Sequence, residues 1–180
     1  MSVVIVYSTG SGHTRRLAEY VAEGAGGAPM IDVEGMTEAD WATLDAAEAI
    51  IFGAPTYMGS ASAPFKAFMD ETSDRWVDQV WADKIAGGFT VANCPSGDKM
   101  MVHLQFVVLA AQHGMIWVGQ TEMNDKGAAV GFGINVEGAN LGLGATSSED
   151  KTSLIDPGDA ETARRYGARI KHTAERWAAG

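Results

Sequence analysis

The chain has a single cysteine, Cys94, in 180 residues. No disulfide can form within it, which fits a reducing cytoplasm. No apolar stretch approaches the roughly 20 residues that span a bilayer. The apolar run at the N-terminus is too short for a signal peptide and lacks its basic flank. Basic residues are scarce as well: 13 Lys and Arg stand against 23 Asp and Glu, a formal charge of −10 with pI near 4.7. That balance disfavours nucleic acid and anionic membranes as partners, since both need basic patches. It fits solubility alone, or docking onto a basic protein. No His-Glu-x-x-His occurs, and His13, His103, His113 and His172 have no metal-ligand spacing. There is no internal repeat, low-complexity tract or linker, so 1–180 reads as one domain.

At 46% hydrophobic and 20% charged, the composition is that of a folded globule. Short apolar runs alternate with amphipathic helical patterns. Strands are expected at 2–7, weakly at 29–33, at 49–53, at 84–91 and at 115–118. Helices are expected at 13–25, at 38–44 with Thr37 as N-cap, at 62–72, at 98–113 with His113-Gly114 as the stop, and after the N-cap Asp156. Ala163, Ile170 and Trp177 fall along the apolar side of that last helix. Residues 119–150 hold seven glycines and little periodicity, and read as a functional lid or a mobile loop. Strands alternating with helices imply an α/β fold: a doubly wound, five-stranded parallel sheet with helices on both faces. Ligands in such sheets bind beyond the C-terminal strand ends, where the strand order reverses.

Three loops fall at such ends. The first is Thr9-Gly10-Ser11-Gly12-His13-Thr14. Its three hydroxyls can donate to a phosphate, and its glycines let backbone amides approach closely. It is neither a Walker loop nor a dinucleotide fingerprint. It suits a terminal monoester phosphate held by neutral donors; the plainer alternative is an ordinary capped turn. Arg15 and Arg16 oppose the helix dipole, which hints at a nearby anion; solvated arginines are the alternative. In the second loop Pro55 and Gly59 bracket a turn presenting Thr56, Tyr57 and Met58. A flat ring can lie there, or the side chains simply cap the core. The third, Ala92-Asn93-Cys94-Pro95-Ser96, can offer amides to a ring's carbonyls or be a plain turn. Cys94 reads as a small buried filler. Apart from His13, the histidines read as surface or helix-end residues.

Several collinear blocks carry a wider likeness. They are Tyr7-Ser8 with Gly12-His13, Ile50 to Thr56, Phe68 to Thr72 with Trp76, Lys84-Ile85-Ala86 with Phe89, Ala111 to Met115, Leu143 to Thr146, and Ala163 to Tyr166. With them the chain resembles the flavodoxin-like FMN proteins, most closely the WrbA-type NAD(P)H:quinone oxidoreductases. The resemblance implies the flavodoxin-like strand order 2-1-3-4-5. FMN's phosphate would sit on residues 9–14, and its isoalloxazine would meet Thr56, Tyr57 and Met58 within 55–59. Ala92 to Ser96 would line the ribityl and pyrimidine side. Gln112 falls where the family has a histidine near the flavin, and Trp76 and Tyr57 would border the substrate. NAD(P)H would reduce the flavin, which would reduce a quinone; the chemistry is the cofactor's, so no side chain is named as catalytic. A homo-oligomer, dimer or tetramer, is implied. Three departures stand out: Thr56-Tyr57-Met58 replaces a frequent Thr-Arg-Phe, Pro95 removes a backbone donor, and the segment between the second and third strands is short. The rival function is an electron-carrying flavodoxin that docks to basic redox partners.

Overall fold

The computed structural model describes residues 2–125, 133–150 and 152–180. Among them, seven strands form one sheet: β1 (Val3–Tyr7), β2 (Met30–Asp32), β3 (Ala49–Tyr57), β4 (Ser60–Ala61), β5 (Ile85–Ala92), β6 (Ile116–Trp117) and β7 (Leu143–Thr146). Six helices flank it: α1 (His13–Gly24), α2 (Glu38–Ala46), α3 (Ala63–Glu71), α4 (Ser73–Val77), α5 (Lys99–Gln112) and α6 (Pro157–Ala178). The parallel path runs β2-β1-β3-β5-β6, which for the five parallel strands is the 2-1-3-4-5 order that the resemblance implies. β1 is buried along its whole length, as a strand covered on both faces must be. One face packs Ile5, Ile51 and Phe89 against Leu17 and Val21 of α1 and Tyr166 and Ile170 of α6. The other packs Val6, Ile50 and Phe52 against Phe65, Phe68 and Phe106.

Local signals place the helices. Thr37 caps α2 reciprocally: Asp40 N donates to Thr37 Oγ1, and Thr37 N donates to the Asp40 carboxylate at 2.8 Å. Gly114, at φ 68°, stops α5, and the Met115 N–H returns to the Ala110 carbonyl. α1 and α6 approach through glycines. A Cβ on Gly167 would lie 2.1 Å from the Val21 carbonyl oxygen, and one on Gly24 would lie 1.8 Å from that of Arg164.

The structure departs from the sequence expectations in several places. β3 runs through Tyr57 rather than ending at Gly53. There the chain reverses through Met58 and Gly59, at φ 50° and 73°, and β4 pairs back onto it. This is a two-residue hairpin with the left-handed geometry that fits strand twist. Within 119–150, Leu143–Thr146 forms β7, parallel to β5. The edge position beside β5 is therefore shared: β6 pairs Ile85 and Ala86, β7 pairs Phe89 to Ala92, and residues 118–142 leave between them. The gap is bridged by one phenol. Tyr166 Oη accepts from Gly88 N at 3.0 Å and donates to the Val118 carbonyl at 2.8 Å, standing in for a ladder bond. This explains Gly87: a side chain there would strike Tyr166 and Ile170. Asp156 occupies the N-cap of α6, but its side chain makes no cap bond. Trp177 is exposed, not core, because it lies in the last turn, past the sheet. His103 is buried because Gly142, returning into β7, lies against its ring. No helix among the described residues is long and apolar enough to cross a membrane.

Candidate functional site

The ends of β1, β3 and β5 meet at a cleft of about 200 Å³. β1 lies between β2 and β3, so the chain leaves it in one direction and continues from β3 in the other. This is the reversal point where open α/β sheets bind ligands.

The first wall is the β1–α1 loop, represented by Gly10, Ser11, His13 and Thr14. Gly12 begins α1 at φ 93°, and no side chain caps the helix. No acidic residue occupies the first turn. The Arg15 N–H has a long bond, 3.4 Å, to Thr9 Oγ1. The loop is braced from below by a buried Ser8–Ser62 hydroxyl pair at 2.7 Å. Arg15 and Arg16 do not reach into the cleft; both pair with Glu19 on the next turn.

The second wall is the end of β3: Pro55, Thr56 and Tyr57. Thr56 is fixed by a 2.8 Å bond to Thr90. The Tyr57 ring leans over the first loop, so that a Cβ on Gly10 would lie 2.0 Å from its phenol oxygen. Met58 and Gly59 form the hairpin tip. Met58 is fully exposed and outside the cleft lining, because the left-handed turn sends its side chain to solvent.

The third wall is Val91, Ala92 and Asn93 with Ser147. Ser147 was not singled out in the sequence. It follows β7, a strand whose small residues gave no apolar signal, and it donates from Oγ to Asn93 Oδ1 at 3.1 Å. Gly97, at φ 53°, closes the loop tightly: a Cβ there would meet Ala92 Cβ at 2.4 Å. Pro95 and Ser96 face away from the cleft, into a second hollow of about 530 Å³ bordered by the start of α5 and residues 137–141. Cys94 is exposed, not a buried filler, because the turn directs its carbonyl inward to Lys99.

Two expected site residues lie elsewhere in the chain. Trp76 and Gln112 share a depression of about 180 Å³ with Thr72 and His113. α3 and α5 each begin near the C-terminal strand edge and run back, so their ends lie at the opposite edge from the cleft. His113 is buried there, its Nε2 bonded to Thr72 Oγ1 at 2.9 Å, and burial lowers its pKa.

Charge sits behind the cleft rather than in it. Lys99 and Glu137, both almost fully buried, pair at 2.6 Å. Asp159 accepts from Thr146 N at 3.1 Å, and burial raises its carboxyl from 3.8 to about 6. His103 is lowered from 6.5 to about 4, mainly by burial and then by Lys99. Among the described residues no His, Cys, Asp and Glu group is arranged to hold a metal.

A family model described as NADPH-dependent FMN reductase matches residues 32–129, more than half of the chain. The chain belongs to that family. This FMN reductase family member is 44% identical over 172 residues to the flavodoxin FldP of Pseudomonas aeruginosa (strain UCBPP-PA14), covering 93% of each chain. It is 31% identical over 147 residues to an NAD(P)H dehydrogenase (quinone) of Syntrophus aciditrophicus, covering 66% of this chain and 71% of that one. Among solved structures, it matches the flavodoxin, WrbA-like protein of Agrobacterium tumefaciens with a TM-score of 0.79 and 41% identity, over 97% of this chain and 98% of that one. The fold of this reductase-family protein is flavodoxin-like, as the residue blocks implied.

Proposed function

We propose that this protein is an FMN-dependent NAD(P)H oxidoreductase that reduces quinones or similar two-electron acceptors. The observation carrying this reading is the glycine-led, acid-free start of α1 facing a cleft between three strand ends. A glycine-led helix start with no acidic residue in its first turn and with neutral hydroxyls beside it suits a phosphate monoester. Above it, Tyr57 and Thr56 offer a flat, half-apolar wall for a ring system. When bound, FMN supplies the centre that takes hydride from NAD(P)H and passes electrons on. The protein's part is placement. Thr9, Ser11 and Thr14, with the amides of 10–14, hold the phosphate. Tyr57, which lies beside Gly10, would offer its ring to the flavin. Ala92 and Asn93 would meet its polar groups, and Val91 and Pro55 would give the cleft an apolar, water-excluding wall. We assign Met58, Gly59, Pro95 and Ser96 to the rim rather than to contact, and the Cys94 peptide to the border of the ring's pyrimidine side.

A homo-oligomer belongs to the same proposal. Met100, Leu104 and Val108 form an exposed apolar stripe on α5, continuous in sequence with the Gln112 end. A second copy seated there would shield it, and sedimentation tests this directly. The electron-carrier reading is favoured by the FldP likeness and by the charge of −10.

Steady-state oxidation of NADH and NADPH by the FMN-loaded protein, with benzoquinone as acceptor, tests the enzyme reading. No acceleration over free FMN defeats it. Anaerobic redox titration separates the two readings: one two-electron step fits the reductase, two resolved one-electron steps fit the carrier.

A further inference from the structure

We propose that Lys99 is a positioning residue for the ring side of this site: it holds the Cys94 carbonyl inward, so that loop 93–98 turns no bare acceptor toward the flavin's pyrimidine carbonyls. The inference rests on the FMN reading.

Lys99 is the first residue of α5, yet its side chain is buried. A lone buried ammonium is strongly disfavoured, so its partners explain its presence. Its Nζ donates to the Cys94 and Ala145 carbonyls and to Thr146 Oγ1, each at 3.1 Å, and to Glu137 Oε1 at 2.6 Å. Those atoms belong to three segments: the third loop, β7 and the 118–142 insertion. Thr146 Oγ1 also donates to Glu137 Oε1. Gly144 leaves room for this carboxylate, since a Cβ there would lie 2.9 Å from Glu137 Oε2. One cation thus fastens the insertion to the loop beside the cleft.

The rest of α5 does not need that cation. Val102, Phe106, Leu109 and Ala110 seat the helix in the core. The loop itself has few other ties: the Asn93–Ser147 bond and the Lys99 and Met101 amides returning to Ser96 and Asp98. The Cys94–Pro95 peptide has no N–H, so its oxygen is the one polar atom it can present. Oxidised flavin carries two carbonyls on its pyrimidine edge. An outward Cys94 oxygen would repel them, and would oppose the negative charge that builds on the ring during reduction.

The first test needs no flavin. Cys94 is exposed and is the sole cysteine, so its rate of alkylation by iodoacetamide reports the loop. In the flavin-free protein, Lys99→Met should raise that rate by about fivefold, as a locally freed segment does. In the FMN-loaded protein, Lys99→Met should raise the FMN Kd by about tenfold, the size expected for a lost charged hydrogen bond. Riboflavin binding should weaken by the same factor, leaving the FMN-to-riboflavin ratio intact, and the midpoint potential should fall. A general loss of structure would change that ratio and the thermal midpoint together. Lys99→Met/Glu137→Gln removes the unpaired buried carboxylate and carries the test if the single variant does not fold. An unchanged alkylation rate, an unchanged ring-side affinity, or failure of the double variant to fold would each overturn the proposal. If wild-type protein takes up no FMN, the functional reading falls, and the alkylation rates alone decide whether Lys99 orders the loop.

Discussion

At the scale of single residues, the site separates a phosphate end from a ring end. Thr14 is buried at the start of α1 and lines the cleft. Thr14→Val keeps its shape and removes its hydroxyl. We expect the FMN Kd to rise by about tenfold with riboflavin affinity unchanged, read by flavin fluorescence quenching. Asp159 makes a pH prediction. Its folded carboxyl is raised from 3.8 to about 6, so between those values the folded state binds more protons than the unfolded chain. Its contribution is complete below 3.8 and is lost as pH rises through about 6. His103, lowered from 6.5 to about 4, has the opposite sign: its contribution is present above 6.5 and lost as pH falls toward 4. Each is worth on the order of 3 kcal/mol, so over pH 4–6 they largely offset. Asp159→Asn removes one arm. Urea melts across that range should show stability climbing with pH more steeply than in wild type.

At the scale of elements, the Tyr166 bridge and the α1–α6 contact are the places to press. Tyr166→Phe leaves Gly88 N–H and the Val118 carbonyl without their partner in a buried gap. A loss of about 1–3 kcal/mol in chemical denaturation is expected. Gly167→Ala places a methyl on the Val21 backbone, which cannot yield as a side chain can, and should destabilise by about 1–3 kcal/mol. Legibility in the sequence divides along the same line. β1, α1, the Thr37 cap and the His113-Gly114 stop were readable because each depends on neighbours within one or two turns. β7 was not, because Leu143-Gly144-Ala145-Thr146 has one large apolar residue, and only pairing with β5 makes it a strand. The turn before Gly59 was readable, but not its two-residue hairpin form: methionine is not a residue that announces a positive φ, and β4 exists only by pairing back onto β3. Trp76 and Gln112 were assigned by resemblance. Their position follows from the direction in which α3 and α5 run, which no motif carries.

At the scale of the whole molecule, the charge of −10 makes its own test of the carrier reading. If electrons pass to a basic protein, the transfer rate should fall by about tenfold or more between 20 and 300 mM salt, since attraction between exposed charges is screened over about a Debye length. Reduction of an uncharged quinone by the same sample should hardly respond. Stopped-flow traces at several salt concentrations compare the two in one preparation.

The split beside β5 also bears on how the protein behaves when crowded. A sheet margin is a template onto which a foreign chain can add, and its hazard grows with the length of unpaired backbone on offer. Here one margin consists of two residues and then four, separated where the chain departs, and the other is the three-residue β2. Neither gives an incoming strand a long flat run to zip along, so the divided margin offers a poor template for fibrous self-association.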